Sequence, residues 1–424
     1  MIRIGKLVLT SGLLIAVAGH HAIAQTGSET IACGEEREKE PGLLTESTYS
    51  RLNEAIEMMG EEQYTEAVKV LEDLQETRLS DYEKATVNQY LGHLAAQREQ
   101  YGDAIGYFSE AVRLDEMPNQ THFDMILQIA QLHNALGQYD EALEQLEFWF
   151  CISDEESKKV AEVWVLKASL HLQQDEYREG LAAMNQAIEI AEEVPESWYR
   201  TKLGILLELE EFRLGVDVAK ILIEINPDRK EYWSQLSGIY MELDENRNAM
   251  ATLQLAYRRG LLDRGSEYTQ LAGLLQQMDA PRLAAEVLQD GLEQGYVDAT
   301  ANHWQMAGGA WYQARELDRS LVAYERAGEL SDSGKIDFQR ASIMTAEENW
   351  EGALSAATRA LEKGDLTESQ EGNANLLIGM AHFNLGNMDQ AEQAFIRTAN
   401  YGTLESAARE WLNHIAQTRQ RDSA

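Results

Sequence analysis

The stretch EYWSQLSGIYMELDENRNAMATLQLA, from Glu231 to Ala256, decides the fold. In it the small residue Ala249 is followed four positions later by a leucine and seven positions later by another alanine. Twelve residues before Ala249 lies a second compact residue, Ser237, with Trp233 four positions before that. Compact residues on two amphipathic helices let the backbones approach closely, while the large side chains fill the space between neighbouring helix pairs. The stretch therefore predicts a helix, a tight turn and a second helix.

The same spacing recurs along the chain, with 33 to 38 residues between successive small residues. The ten small residues are Ala67, Ala104, Ala142, Gly180, Gly215, Ala249, Ala284, Ser320, Ala353 and Ala391. A helix pair of this length cannot bury its apolar face alone, so such pairs stack on one another. We therefore predict an all-α protein, a right-handed α-solenoid of about ten helix–turn–helix repeats over residues 48–403. An amphipathic capping helix over 404–418 and a disordered tail at 419–424 should follow.

Composition agrees with a helical, strongly acidic globular protein. The 424 residues include 36 Lys+Arg against 72 Asp+Glu, a formal net charge of −36, and only five prolines. A chain this acidic repels nucleic-acid phosphates and anionic lipid surfaces, so we expect no nucleic-acid partner and no membrane attachment through a basic patch.

The first 24 residues have the pattern of a cleavable signal peptide. Arg3 and Lys6 precede the apolar run LVLTSGLLIAVA, and the segment ends on Ala22-Ile23-Ala24, small residues at the two positions that a signal peptidase reads. An uncleaved anchor is the alternative. With cleavage the protein would be exported, with no segment left to insert in a membrane. Residues 25–47 would then form a flexible or partly docked extension.

Two cysteines, Cys33 and Cys151, follow the signal. In an oxidising compartment they could form a disulfide that ties the extension to the body of the protein. Two other interpretations stay open: a buried Cys151 with an exposed Cys33, and a lipid anchor on Cys33. The sequence contains no CxxC motif, so no structural metal is predicted.

No motif with a known catalytic mechanism occurs, and we predict a non-enzyme without cofactor, metal or catalytic residues. His133 and His171 occupy equivalent places in adjacent repeats, where packing is the expected role and a weak metal site the alternative. Glu208, set among leucines, is the nearest candidate for an acidic catalytic residue, but its position makes a surface contact the stronger interpretation.

The repeats resemble the tetratricopeptide repeat, whose W-x2-L-G-x2-Y…A-x3-F-x2-A…P pattern is approximated by WSQLSGIY…AMATLQLA and by QYLGHLA…AIGYFSEA. The final proline of the pattern survives as Pro227. This resemblance implies that the first helix of each repeat lines a concave groove.

The implied groove is rich in amides and poor in charge. Its fifty positions include twelve Asn or Gln, or 24%, whereas these residues make up 45 of 424, about 11%, of the chain. Amides offer donors and acceptors that suit extended peptide, so we predict a protein or peptide partner. The alternative is that amides only keep a helix face soluble. The densest predicted patch, expected to converge, comprises Gln276, Gln277, Asn302, Gln305, Tyr312 and Gln313.

A second resemblance concerns longer stretches, among them EYWSQLSGIYMELDE at Glu231–Glu245 and LIGMAHFNLGNMDQAEQAF at Leu377–Phe395. They are similar to exported tetratricopeptide proteins encoded beside the TonB–ExbB–ExbD genes of Gram-negative bacteria. The resemblance implies a periplasmic accessory of TonB-dependent outer-membrane transport, with TonB-system components as partners and no defined site residues. The alternatives are a general envelope scaffold, in polysaccharide export or peptidoglycan assembly, and, less favoured, a glycan-acting enzyme.

Overall fold

A computed structural model of the protein describes residues 37 and 39–422. Over this range the chain forms 21 α-helices and two short 3-10 helices, with no β-strand. The prediction of an all-α protein is confirmed. The chain divides into two compact units, with the boundary between Glu192 and Glu193.

The first unit contains eight α-helices in four consecutive pairs. They are α1 (Glu46–Gly60), α2 (Tyr64–Gln75), α3 (Asp81–Gln97), α4 (Tyr101–Leu114), α5 (Asn119–Ala135), α6 (Tyr139–Ile152), α7 (Ala161–Gln173) and α8 (Tyr177–Ile190).

The second unit contains six pairs and a final helix. They are α9 (Glu196–Glu208), α10 (Phe212–Ile225), α11 (Lys230–Glu242), α12 (Asn246–Arg258), α13 (Gly265–Gln277), α14 (Pro281–Glu293), α15 (Ala301–Gln313), α16 (Leu317–Glu329), α17 (Lys335–Ala346), α18 (Trp350–Lys363), α19 (Glu368–Asn384), α20 (Met388–Thr398) and α21 (Glu405–Asp422).

The small residues of the sequence pattern lie where two helices of a pair touch. All ten are buried, and each lies on the second helix of a pair. The Ser237 hydroxyl on α11 donates to the Ala249 carbonyl on α12 over 3.1 Å, and the Ser320 hydroxyl on α16 donates to the Gly308 carbonyl on α15 over 2.8 Å. Contacts this short need side chains no larger than serine on both helices, which explains why the spacing is kept.

The turns inside the pairs share one backbone conformation. In all ten pairs the residue just before the N-cap of the second helix has a positive φ, between 56° and 82°. Only Gly137 and Gly386 are glycines at this place, and the other eight residues are Asp, Glu or Arg, such as Asp244. Polar side chains tolerate the left-handed region better than β-branched ones do.

Three neighbouring pairs share an arginine on the second helix that reaches a residue 22 positions earlier on the first helix. Arg326 lies 4.6 Å from the Trp304 ring centroid, Arg359 Nε donates to Asp337 Oδ1 over 2.7 Å, and Arg397 Nε donates to Asn375 Oδ1 over 3.0 Å. Asp337 is fully buried, and Lys363 also pairs with it at 2.8 Å. In the last two helix pairs, a polar contact of the arginine thus replaces the packing of the arginine on an aromatic ring.

The segment before α1 is anchored at Arg37. Arg37 is only 4% exposed, and its guanidinium donates to Asp115 Oδ1 over 2.8 Å, Asn119 Oδ1 over 2.6 Å and the Met117 carbonyl over 2.5 Å. His122 lies beside Arg37 and is 1% exposed. Arg37 is therefore docked on the loop between α4 and α5 and on Asn119, the first residue of α5.

The C-terminal helix differs from its predicted bounds. It runs from Glu405 to Asp422, so residues 419–422 are helical and the predicted disordered tail is wrong there. The cause is tertiary: the Arg419 guanidinium pairs with Asp389 at 2.6 Å and with Glu392 at 2.8 Å, which fixes the last turn against α20. Trp411 caps the stack, with its ring parallel to that of Phe395 at a centroid distance of 5.3 Å.

Two predictions lie partly outside this description. The signal peptide at 1–24 and Cys33 fall outside the described residues, and Cys151 is half-buried against the core of α5, α6 and α7. The Cys33–Cys151 disulfide therefore stays a prediction. Within residues 37 and 39–422, no helix is both long enough and apolar enough to cross a bilayer.

Candidate functional site

Four consecutive first helices, α9, α11, α13 and α15, present one row of accessible side chains each. The rows use six equivalent positions at helical spacing i, i+3, i+4, i+7, i+10 and i+11, which lie on one helix face. We call these 24 positions the first-helix stripe, and none of them is buried. They are Ser197, Arg200, Thr201, Gly204, Leu207 and Glu208 on α9; Glu231, Ser234, Gln235, Gly238, Met241 and Glu242 on α11; Ser266, Thr269, Gln270, Gly273, Gln276 and Gln277 on α13; and Asn302, Gln305, Met306, Gly309, Tyr312 and Gln313 on α15.

The structure places all six predicted patch residues on this stripe, spread along α13 and α15. Asn302 and Gln305 lie in the first half of α15, whereas Tyr312 and Gln313 lie at its C-terminal end. At 1.5 Å of rise per residue, Asn302 and Gln313 are about 16 Å apart along the axis. The convergence of the whole patch stays a prediction, with Asn302 and Gln313 at opposite ends of α15.

The predicted amides differ in whether the fold already uses them. The side-chain amides of Gln276, Gln277, Gln305 and Gln313 have no hydrogen-bond partner among the described residues, and Tyr312 is 49% exposed. Elsewhere the same kind of side chain is engaged. Gln97 donates to the Tyr64 hydroxyl over 2.7 Å, Asn373 to the Ser369 carbonyl over 2.7 Å and Asn384 to the Met380 carbonyl over 2.8 Å. Gln276, Gln277, Gln305 and Gln313 are therefore available to a partner, as are Gln89, Gln131, Asn134 and Gln173 in the first unit.

Sequence reasoning missed a column of glycines in the middle of the stripe. Gly204, Gly238 and Gly273 have no atom within 4 Å of the place where a Cβ would lie, and Gly309 has only the Tyr324 hydroxyl, at 3.5 Å. A glycine inside a helix costs about 0.5–1 kcal/mol relative to alanine. No packing contact explains these glycines, so they leave a shallow channel across the four helices. The signal was readable, since Gly238, Gly273 and Gly309 directly follow the compact residue of their repeats and Gly204 follows the equivalent position, which is Leu203.

A cavity of about 450 Å³ opens on the stripe between α9 and α11. Its lining includes Ser197, Arg200, Gly204, Tyr232 and Gln235. The exposed Arg200 has no carboxylate partner among the described residues. A polar, open cavity with one unpaired guanidinium can accept hydrogen-bonding and anionic groups.

Neighbouring charges beside this cavity are already paired. Arg229 Nη1 lies 2.8 Å from Glu196 Oε1, and its Nε lies 3.8 Å from Glu231 Oε2. The Tyr232 hydroxyl also donates to Glu196. This hydrogen bond, with the Arg229 contacts, lowers the pKa of Glu196, and burial followed by the Glu196 contact raises the pKa of Tyr232. Glu196 is therefore held ionised in a local network and is not offered to Arg200.

The histidines predicted to pack have a role in the turns. His133 Nδ1 lies 2.8 Å from Gln138 Oε1, and His171 Nδ1 lies 2.7 Å from Glu176 Oε2. Gln138 and Glu176 are the N-caps of the second helices of these pairs. Among the described residues no group of three potential ligands could hold a metal ion. Glu208 is exposed at the C-terminal end of α9, which gives it no apolar pocket.

Comparison with known proteins supports the class of the repeats. Tetratricopeptide repeat families match residues 161–194, which cover α7 and α8, and residues 346–400, which cover α18 to α20. The chain thus carries tetratricopeptide repeats. No curated protein matches this chain.

Several solved structures are similar at low identity. A tetratricopeptide repeat protein from Parabacteroides merdae is 12% identical, covering 65% of this chain and 100% of that chain with a TM-score of 0.37. A MamA fragment from Desulfovibrio magneticus is 14% identical, covering 44% of this chain and 99% of that chain with a TM-score of 0.36. The C-terminal part of a repeat protein from Cytophaga hutchinsonii is 15% identical, covering 58% and 98% with a TM-score of 0.35.

Proposed function

We propose that this protein is a non-enzymatic scaffold that binds a protein or peptide through the first-helix stripe. The observation that carries the proposal is that the side-chain amides of Gln276, Gln277, Gln305 and Gln313 have no hydrogen-bond partner among the described residues and lie beside a column of helix glycines that packing does not require. Amides without internal partners can pair with the backbone of an extended segment, and glycines let that backbone approach closely. Tetratricopeptide repeats generally mediate protein–protein interactions, which fits this use of the stripe.

The more specific proposal concerns the arrangement of the repeats and the location of the protein in the cell. Ten repeats would stack into a right-handed superhelix, with α21 as its cap. The protein would be exported by its N-terminal signal to the periplasm and serve there as an accessory of TonB-dependent outer-membrane transport. The sequence pattern of residues 1–24 and the resemblance to exported proteins of TonB–ExbB–ExbD gene clusters support this part.

Site-specific crosslinking in intact cells tests the proposal. A photo-crosslinking amino acid at Gln305 or Gln313 would be compared with the same amino acid at Leu255, which is 52% exposed on the second helix α12. Captured proteins would be identified by mass spectrometry and scored for TonB-system components. We expect capture from both stripe positions and none from Leu255.

Charge reversal supplies the matched variant. The stripe positions on α13 and α15 contain no charged residue. Introducing Gln305→Glu and Gln313→Glu together adds two negative charges there. Unchanged capture in this variant would contradict the use of the stripe. Capture of polysaccharide-export or peptidoglycan-assembly proteins alone would favour a general envelope scaffold, and turnover of peptidoglycan by the purified chain would contradict a non-enzymatic role.

A further inference from the structure

The cavity between α9 and α11 differs from the rest of the stripe because it contains a positive charge. The chain has twice as many acidic as basic residues, yet Arg200 is exposed there without a carboxylate partner among the described residues. The nearest acids are engaged: Glu196 pairs with Arg229 and accepts from Tyr232, and Glu231 also faces Arg229. Arg200 therefore retains an unmatched charge at the surface.

Three other features favour an anionic group at this place. Ser197, Arg200 and Thr201 lie in the first two turns of α9, where the helix dipole contributes positive charge. The Thr201 hydroxyl donates to the Ser197 carbonyl over 3.1 Å, and the Ser197 hydroxyl, on a residue that lines the cavity, has no hydrogen-bond partner among the described residues. Gly204 leaves the space beside them open. A guanidinium with an adjacent hydroxyl is a suitable pair of donors for a carboxylate.

The surroundings indicate that the carboxylate belongs to a polypeptide. The cavity opens onto the stripe, and the uncharged rows of α13 and α15 continue from it with four amides, on Gln276, Gln277, Gln305 and Gln313, that have no partner among the described residues. With about 10 Å between the axes of successive first helices, a segment that crosses from α9 to α15 would cover about 30 Å. An extended chain covers this distance in about nine residues. A small anion would use Arg200 but would leave the amides and the glycine column without a role.

We infer that the cavity between α9 and α11 binds an Asp or Glu side chain of an extended partner segment, with Arg200 as the residue that selects it. The inference rests on the proposed function and names the class of its partner: a segment of about nine residues with an acidic residue at the α9 end and uncharged residues along α13 and α15. The remaining affinity comes from amide contacts with the segment backbone.

Selection from a random decapeptide library displayed on phage tests this inference. The purified full chain would be compared with Arg200→Ala and with a matched control, Arg258→Ala, which removes an exposed arginine of α12 that also has no carboxylate partner among the described residues. We expect Asp or Glu to be enriched at one position on the wild type and on Arg258→Ala, and this enrichment to disappear on Arg200→Ala.

One selected peptide and its Glu→Gln or Asp→Asn form would then be measured by fluorescence polarisation. We expect Arg200→Ala to weaken binding of the acidic peptide at least tenfold and to have little effect on the neutral form. A second variant, Gly204→Leu, fills the open space with a residue that favours helix, so it should stay folded and also lose affinity.

The outcomes separate the inference from the proposed function. Peptides selected without acidic residues, or bound equally by Arg200→Ala, would overturn the inference and leave the stripe as a binding surface. Binding of inorganic phosphate or acetate at Arg200, without any selected peptide, would show a small-anion site and also overturn it. If the wild-type chain selects no peptide and no protein is crosslinked at Gln305, the proposed function itself is contradicted.

Discussion

Two glycine-to-alanine substitutions should change stability in opposite directions. Gly238 lies inside α11 on the stripe, and Gly379 lies inside α19 at the compact position of its repeat. A Cβ on Gly238 would have no atom within 4 Å, whereas a Cβ on Gly379 would lie 2.5 Å from Phe395 Cε1. Phe395 is fully buried and stacked on Trp411, so its ring has no room to move.

The expected magnitudes follow from these distances. Gly238→Ala should raise the free energy of unfolding by about 0.5–1 kcal/mol, because alanine loses less backbone entropy in a helix. Gly379→Ala has the same entropic gain, but overpacking of this kind costs about 1–3 kcal/mol, so its net effect should be destabilising by about 1–2 kcal/mol.

Urea unfolding followed by circular dichroism would measure both variants against the wild type. Because repeats can unfold in parts, amide exchange in α11 and α19 should accompany the unfolding midpoints. A higher midpoint for Gly238→Ala and a lower one for Gly379→Ala are expected. Destabilisation of similar size in both would refute the reasoning, since it would mean that Gly238 is needed for packing and that the channel on the stripe is not open.

Three other perturbations have defined outcomes. Asp337→Ala should lower the unfolding free energy by about 3 kcal/mol, because Arg359 would lose its buried partner, and adding Arg359→Met should recover part of the loss in a double-mutant cycle. Burial, then the charge of Arg37, lowers the pKa of His122 from 6.5 to about 4. As the pH falls, the unfolded chain binds a proton at His122 before the folded chain does, so the stability present above pH 6.5 should decrease as the pH is lowered towards 4. Thermal melts would measure this decrease, which should be smaller in His122→Gln. The same pH profile in the variant and the wild type would contradict the assignment. Trp411→Ala should cost about 3 kcal/mol at the C-terminal end and speed amide exchange in α21, whereas unchanged exchange there would show that the stacked rings do not hold the cap.

The repeated helix pairs were predictable because they depend on local spacing. A compact residue such as Ala249 recurs at fixed distance from a compact residue on the preceding helix, and each of these small residues is buried in the structure. The accessible face was also predictable, since all six predicted patch residues lie on the stripe. The open glycines were overlooked although their positions were readable: Gly379 occupies the compact position of its repeat and packs against a ring, whereas Gly238 directly follows that position and has no such contact.

What the sequence could not provide are the contacts between distant residues. Arg37 and Asp115 are 78 residues apart, and Arg419 and Asp389 are 30 apart, yet these pairs dock the N-terminal segment and extend the last helix. The period of small and apolar residues determined which segments are helices, because burial of one face repeats with the helix itself. Only the tertiary structure decided which polar groups have partners: Glu196 pairs with Arg229, whereas Arg200, Gln276, Gln277, Gln305 and Gln313 have no side-chain partner among the described residues. The reason is that pairing depends on the distances between residues on different helices, and the spacing of residues along one helix does not determine those distances.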